Sequence, residues 1–189
     1  SRTILMQDIE SKMCFGIIGL GKMGQNHLRV LSILKDVEIK FIYDLDWAVS
    51  KDLAKKFGVE NVKYFNEALP HVNAIVICSP TNTHSKMLRI ASKYSKNILI
   101  EKPLSHNIKT TRADVAFIKH NNLNVQVGLI ERFNPAVQQL KYVLEHSEQV
   151  LNIDFTRTDK VSSRIVDVDV VNDLMIHDID LAIHLSGPV

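Results

Sequence analysis

Residues 172–187 hold the densest group of reactive side chains in the sequence. Their apolar periodicity predicts a helix, and this helix carries Asp173, His177, Asp178 and Asp180. Asp173 and His177 are four positions apart, so they lie on one helical face and can form a carboxylate-imidazole pair. Such a pair can act as a general base. A solvated acidic face with a core histidine would show the same spacing, so this segment alone leaves both interpretations open.

A second group of residues lies near the start of the chain. Gly19-Leu20-Gly21-Lys22-Met23-Gly24 follows an apolar run at residues 13–18 and precedes a predicted helix at residues 25–34. In a strand-turn-helix unit, the first glycine permits the turn, the second lets a pyrophosphate approach, and the third lets helix and strand pack closely. The helix N-terminus would offer N–H groups to the anion. The sequence therefore predicts cofactor contacts at Gly19, Gly21, Lys22, Met23 and Gly24.

An acidic residue follows the next predicted strand. The strand at residues 38–43 ends at Asp44, twenty residues after Gly24, where a carboxylate accepts hydrogen bonds from the adenosine ribose of a dinucleotide. Asp44 would repel a 2'-phosphate, and residues 45–47 contain no arginine to bind one. The expected cofactor is therefore NAD rather than NADP. The alternative is an acid that begins a loop and binds no ligand.

Composition favours a globular enzyme. The 189 residues are 46% apolar, which is enough for a real core, and the net charge of +2 gives no argument for nucleic acid or membrane partners. There is no run of eighteen apolar residues, and residues 1–12 do not resemble a signal peptide, so a cytoplasmic protein is expected. Cys14 and Cys78 fall in predicted core strands, and neither CxxC nor HExxH occurs, so no metal is expected.

Apolar runs alternate with amphipathic stretches between residues 13 and 129, which is typical of βαβ units and a doubly wound parallel sheet. Ligands of such sheets bind beyond the carboxyl ends of the strands. Two of these ends carry Ser79-Pro80-Thr81 and Glu101-Lys102-Pro103. Lys102 is expected where nicotinamide and the reacting carbon meet, and could stabilise negative charge on a substrate oxygen. The alternative is a lysine in a surface loop.

Four motifs together give a family resemblance. Residues 19–27, 79–84, 101–104 and 173–180, in this order, resemble the glucose-fructose oxidoreductase/inositol dehydrogenase (Gfo/Idh/MocA) family. The resemblance implies that Lys102, Asp173 and His177 carry catalysis. His177 would take the proton of the substrate hydroxyl, Asp173 would orient the His177 imidazole, and Lys102 would polarise the hydroxyl oxygen. It implies cofactor contacts by Ser79, Pro80, Thr81, His84, Glu101 and Lys102.

A finer resemblance concerns the substrate. Residues 128–137 and 164–171 are similar to the branch of the family that oxidises the 3-hydroxyl of UDP-N-acetylglucosamine. Arg132 and Arg164 suit a diphosphate, because planar guanidinium groups match phosphate oxygens. With Asn134 they form the expected substrate contacts. A sugar or nucleotide sugar is therefore the expected partner.

The resemblance also sets the expected domains. Residues 1–12 form an N-terminal extension, 13–129 a Rossmann domain, and 130–189 the start of an incomplete α/β open-sheet domain for substrate binding and homo-oligomer formation, including a strand near residues 150–158. Other interpretations remain open. They are a cofactor-binding module without turnover, an assembly partner of a longer relative, and a dehydrogenase of another sugar or cyclitol.

Overall fold

The structure is a computed structural model that describes residues 12–146, 152–156, 171 and 175–186. The chain divides after Gln126 into two compact units. The first unit alternates strands with helices, and its last strand, β6, ends at the first residue of the second unit. The strands are β1 (Met13–Ile18), β2 (Val37–Tyr43), β3 (Glu60–Asn61), β4 (Ala74–Ile77), β5 (Asn97–Ile100) and β6 (Asn124–Val127). The helices are α1 (Lys22–Leu31), α2 (Trp47–Phe57), α3 (Phe65–Ala68), α4 (Thr81–Ala91) and α5 (Ile108–His120), with a 3-10 turn at Leu69–His71.

The strands form one sheet in the order β3-β2-β1-β4-β5-β6, as in a Rossmann fold. β1 lies between β2 and β4 and is parallel to both, with Ile18 opposite Tyr43 on one side and Ile77 on the other. The strand order reverses between β1 and β4, and a crevice opens there beyond the carboxyl ends of both strands. The predicted α/β parallel sheet is confirmed.

The sheet carries the hydrophobic core. All four residues of β4 are buried, as expected for a central strand with both faces covered. On one face, Ile17, Ile42 and Val76 pack against Leu28 of α1 and Ala54 of α2. This packing fixes the ends of β1, β2 and β4, from which the candidate site is built.

Most predicted elements agree with the structure, and the differences have local causes. The sequence pattern predicts a strand at residues 97–100 and a helix at about residues 108–120, and β5 and α5 have these bounds. α1 begins at Lys22 rather than residue 25, because the last residues of the glycine motif already form its first turn. The sequence pattern also predicts a short strand near residues 62–64. The structure instead places β3 at Glu60–Asn61, where it pairs with Phe41 and Ile42.

The second unit is helical in its described part. A 3-10 turn at Ile130–Phe133 leads into α6 (Pro135–Glu145), and α7 spans Ile176–Ser186. Residues 152–156, within the predicted strand near 150–158, adopt neither helix nor strand and have no ladder partner among the described residues. The expected second sheet is thus not seen in the part of the chain that the structure describes. In that part, no helix is long and apolar enough to cross a membrane.

Candidate cofactor-binding site

The three motif glycines meet different physical demands. Gly19 has φ +92°, and a Cβ there would lie 2.5 Å from the carbonyl carbon of Cys78. A Cβ at Gly24 would lie 1.9 Å from the Gly19 carbonyl oxygen, so the helix could not pack on the turn. A Cβ at Gly21 would meet nothing within 4 Å. Packing therefore requires Gly19 and Gly24, whereas Gly21 keeps an open space above the loop.

That open space lies at a helix N-terminus. Gly21 is the N-cap of α1, no side chain caps the helix, and its first turn contains Lys22 and no acidic residue. The first N–H groups of a helix have no intrahelical acceptor and carry partial positive charge, which favours an anion. The loop thus fits the diphosphate of a dinucleotide.

Asp44 is held beside this loop by two backbone hydrogen bonds. Its Oδ2 accepts the N–H of Leu20 at 2.6 Å, and its Oδ1 accepts the N–H of Asp46 at 2.8 Å. Each carboxylate oxygen can accept a further hydrogen bond, so both remain able to bind ribose hydroxyls. A cavity of about 460 Å³ adjoins Asp44 and the loop. It is lined by Ile18, Gly19, Gly21, Tyr43, Asp44, Leu45, Phe65, Cys78, Ser79, Pro80, Thr83 and Met87.

The loop after β4 forms one wall of this cavity. Ser79 Oγ lies 2.7 Å from Thr83 Oγ1, and Thr83 Oγ1 donates to the carbonyl of Pro80 at 2.7 Å. The N-cap of α4 is Pro80, and no side chain caps the helix, so Thr81 is its first helical residue and not its cap. The cavity lining includes Ser79 and Pro80 but not Thr81.

His84 connects the loops after β4 and β5. It is 1% exposed, with Nε2 2.8 Å from the carbonyl oxygen of Ser79 and Nδ1 2.9 Å from that of Pro103. Both ring nitrogens therefore face protein carbonyls. The structure gives His84 a role in holding the two loops together, and direct cofactor contact stays a prediction.

The second of these loops contains Lys102. The preceding residue, Glu101, is 7% exposed; its Oε1 lies 2.7 Å from His27 Nε2, and its Oε2 accepts the N–H of Lys102 at 3.2 Å. The Lys102-Pro103 peptide bond is cis. Lys102 itself is half-buried at the carboxyl end of β5, as predicted from the strand pattern.

The sequence did not predict the cluster that His27, Cys78 and Glu101 form next to this loop. His27, Cys78 and Glu101 each place one possible ligand atom within 4.8 Å of the others. Burial, and secondarily the Glu101 charge, raise the pKa of the Cys78 thiol well above its usual range. Cys78 is therefore protonated at neutral pH. The residues come from α1 and the ends of β4 and β5, and only the position of His27 one turn after Gly24 could have indicated the cluster.

The second unit contains the other predicted site residues. His177 is half-buried in the first turn of α7, whereas Asp173 and Arg164 lie outside the described residues. The guanidinium of Arg132 bonds the Asp180 carboxylate through two nitrogens, with Nε 2.7 Å from Oδ2. This hydrogen bonding raises the pKa of Arg132.

Asn134 has a structural role as the N-cap of α6. Its Oδ1 accepts the N–H of Ala136 at 3.0 Å, and Pro135 occupies the first helical position. This is the usual chemistry of a helix start. Any contact of Asn134 with substrate stays a prediction.

The sheet order, the glycine loop at a helix N-terminus and the acid at the end of β2 define a dinucleotide-binding α/β domain. Residues 13–129 match the model of the GFO_IDH_MocA family, described as an oxidoreductase family with an NAD-binding Rossmann fold. The chain belongs to this family.

Several known proteins are similar to the chain. An uncharacterized oxidoreductase of Bacillus subtilis, YrbE, is 30% identical, and the match covers 91% of this chain and 53% of that protein. The myo-inositol 2-dehydrogenase of Thermotoga maritima is also 30% identical over 93% of this chain and 55% of its own length.

A third relative is known by both sequence and structure. The UDP-N-acetylglucosamine 3-dehydrogenase of Acidithiobacillus ferrooxidans is 27% identical over 91% of this chain and 54% of its own. Its crystal structure superposes with a TM-score of 0.78 at 26% identity, covering 93% of this chain and 57% of that chain. The chain therefore spans about half the length of the curated relatives it matches.

Proposed function

We propose that this chain belongs to an NAD-dependent dehydrogenase that oxidises a hydroxyl of a sugar or cyclitol, specifically the 3-hydroxyl of a UDP-N-acetyl-hexosamine. The cavity between Gly21 and Asp44 carries this proposal. It combines an open approach to a helix N-terminus with a fixed carboxylate, which are the two features needed to bind the diphosphate and ribose of NAD.

NAD, when bound, supplies the nicotinamide ring that accepts a hydride from the substrate carbon. The proposed roles of the protein residues follow from their chemistry. Lys102 donates a hydrogen bond to the substrate oxygen and stabilises its developing negative charge. His177 accepts the hydroxyl proton, and Asp173 orients and charges the imidazole. These three roles are part of the proposal.

The substrate class is supported by the relatives and by one structural feature. The UDP-N-acetylglucosamine 3-dehydrogenase is one of the proteins similar to this chain. Within the described part of the chain, Arg132 uses two of its five N–H groups on Asp180, which leaves three for the proposed contact with a diphosphate. Arg164 and Asn134 complete the proposed substrate contacts. The myo-inositol relative supports the alternative that the substrate is a cyclitol.

A binding titration followed by an activity assay tests the proposal. The chain is expected to quench or shift NADH fluorescence on binding, and then to form NADH when NAD and UDP-N-acetylglucosamine are added. myo-Inositol serves as the competing substrate. Activity with myo-inositol alone would replace the nucleotide sugar by a cyclitol, and no NADH binding would contradict the proposal as a whole.

The variant Lys102→Met separates chemistry from cofactor binding. Because the lysine is assigned to the substrate oxygen, its loss is expected to slow hydride transfer by about 100-fold or more. The Kd for NADH should stay within about threefold, since Lys102 does not contact the diphosphate in this proposal. A large loss of NADH affinity would contradict the assigned role.

A second candidate function is a cofactor-binding module without turnover. It is favoured by one observation: the described residues of the second unit contain no second sheet, whereas the first unit contains the cofactor cavity. NADH binding without oxidation of any sugar or cyclitol would support it.

A further inference from the structure

We propose that His27 is a positioning residue that acts through Glu101 on the loop carrying Lys102. In this way α1 would bind the diphosphate at its N-terminus. Through His27, about one turn further along the helix, it would also position the loop that is assigned to nicotinamide. This inference rests on the proposed function, since it assigns nicotinamide and the reacting carbon to the loop after β5.

The contacts form a short chain from helix to loop. His27 Nε2 lies 2.7 Å from Glu101 Oε1, although the two residues are 74 positions apart. The other carboxylate oxygen accepts the Lys102 N–H at 3.2 Å. One carboxylate therefore bonds α1 with one oxygen and the lysine backbone with the other.

Burial explains why His27 is needed. Glu101 is 7% exposed, and a buried carboxylate is costly without hydrogen-bond donors. Among the described residues, its hydrogen-bond partners are His27 and the Lys102 N–H. Without His27, the Glu101 carboxylate would lose one of its two hydrogen-bond partners and turn toward solvent, which weakens its hold on the Lys102 backbone.

The loop is held from its other side as well. His84 Nδ1 lies 2.9 Å from the carbonyl oxygen of Pro103, the residue after Lys102. The backbone on both sides of the lysine is thus bonded to an imidazole, directly at Pro103 and through Glu101 at Lys102. His27 is the more informative of the two to change, because it lies on the helix that begins at the glycine loop.

Two ligands distinguish the ends of the site. ADP-ribose has the adenosine, diphosphate and ribose of NADH but lacks nicotinamide. Because Glu101 holds the backbone of the loop after β5, and this backbone rather than the Lys102 side chain is assigned to nicotinamide, His27→Leu is expected to weaken NADH by about tenfold, which is about 1.4 kcal/mol. The Kd for ADP-ribose should stay within about twofold. Equal loss for both ligands, or loss for neither, would overturn the inference. Failure of the unsubstituted chain to bind either ligand would instead contradict the proposed function and this inference together.

Two amide variants test whether the hydrogen bond is the cause. The Gln side-chain nitrogen reaches the position of His Nε2, whereas the Asn nitrogen matches Nδ1 and falls short of Glu101. His27→Gln is therefore expected to retain most of the NADH affinity, and His27→Asn to behave like His27→Leu, with all unfolding midpoints monitored. His120→Leu, at the exposed end of α5, is the control. Equal behaviour of the Gln and Asn variants would contradict the proposal.

A zinc titration tests the competing use of the same atoms, because His27, Cys78 and Glu101 could also bind a cation. The inference expects Zn²⁺ to leave the unfolding temperature of the chain unchanged. A rise that disappears in Cys78→Ser would show a cation site and overturn the positioning role.

Discussion

At the scale of single residues, the site depends on glycines that are required for different reasons. At Gly19 and Gly24 a side chain would collide with neighbouring backbone atoms, whereas Gly21 faces open space. The sequence predicted all three because the motif is local, and the structure adds that packing requires Gly19 and Gly24 but leaves space at Gly21. The His27–Glu101 contact could not be predicted in the same way, since only the folded sheet brings together residues 74 positions apart.

Gly21→Ser is therefore expected to separate binding from folding. Serine is a preferred N-cap, and Gly21 has φ −63°, which any residue adopts, so the unfolding free energy should not fall. The added hydroxymethyl group occupies the space for the diphosphate, and NADH affinity should drop by about tenfold or more. Urea unfolding and fluorescence titration measure the two effects. Gly24→Ser is the matched variant, and it should lower stability as well because its Cβ meets the Gly19 carbonyl.

At the scale of elements, a buried carboxylate joins two helices to the loop after Lys102. Asp114 of α5 is 0% exposed and accepts hydrogen bonds from Ser85 of α4 and from Ser105. Its Oδ1 also lies 2.8 Å from NH1 of Arg89 on α4, whose guanidinium stacks on the Phe117 ring at 4.5 Å. The helical periodicity predicted α5 with its bounds, but it did not predict that an aspartate would be its one fully buried residue.

Asp114→Ala is expected to lower the unfolding free energy by about 3 kcal/mol, because it leaves two hydroxyls without their acceptor and the Arg89 guanidinium without its ion-pair partner. Chemical denaturation measures this change. Asp52→Ala, on the exposed face of α2, provides the control and should change stability by less than about 0.5 kcal/mol. Similar losses in both variants would show that the Asp114 network contributes little.

At the scale of the whole molecule, the sequence predicted the first unit far better than the second. Alternating strands and helices with a glycine motif leave few possible topologies, and the sheet order followed. The described part of the second unit has no strand ladder of its own, and residues 152–156, which lie within the predicted strand near 150–158, have no partner strand among the described residues. The contact of Arg132 with Asp180 could not be predicted from the local sequence either, because it depends on the packing of α7.

Binding of NADH should raise the unfolding free energy of the first unit. A ligand that binds only the folded state stabilises it by RT ln(1 + [L]/Kd), which is about 2.7 kcal/mol at a concentration of 100 Kd. Amides of β1 and β4, which border the cavity and are paired in the centre of the sheet, should then exchange up to about 100-fold more slowly when exchange requires global unfolding. Hydrogen exchange with mass spectrometry measures this protection. Gly21→Ser at the same NADH concentration should show much less of it, and equal protection in both proteins would place the binding site away from the glycine loop.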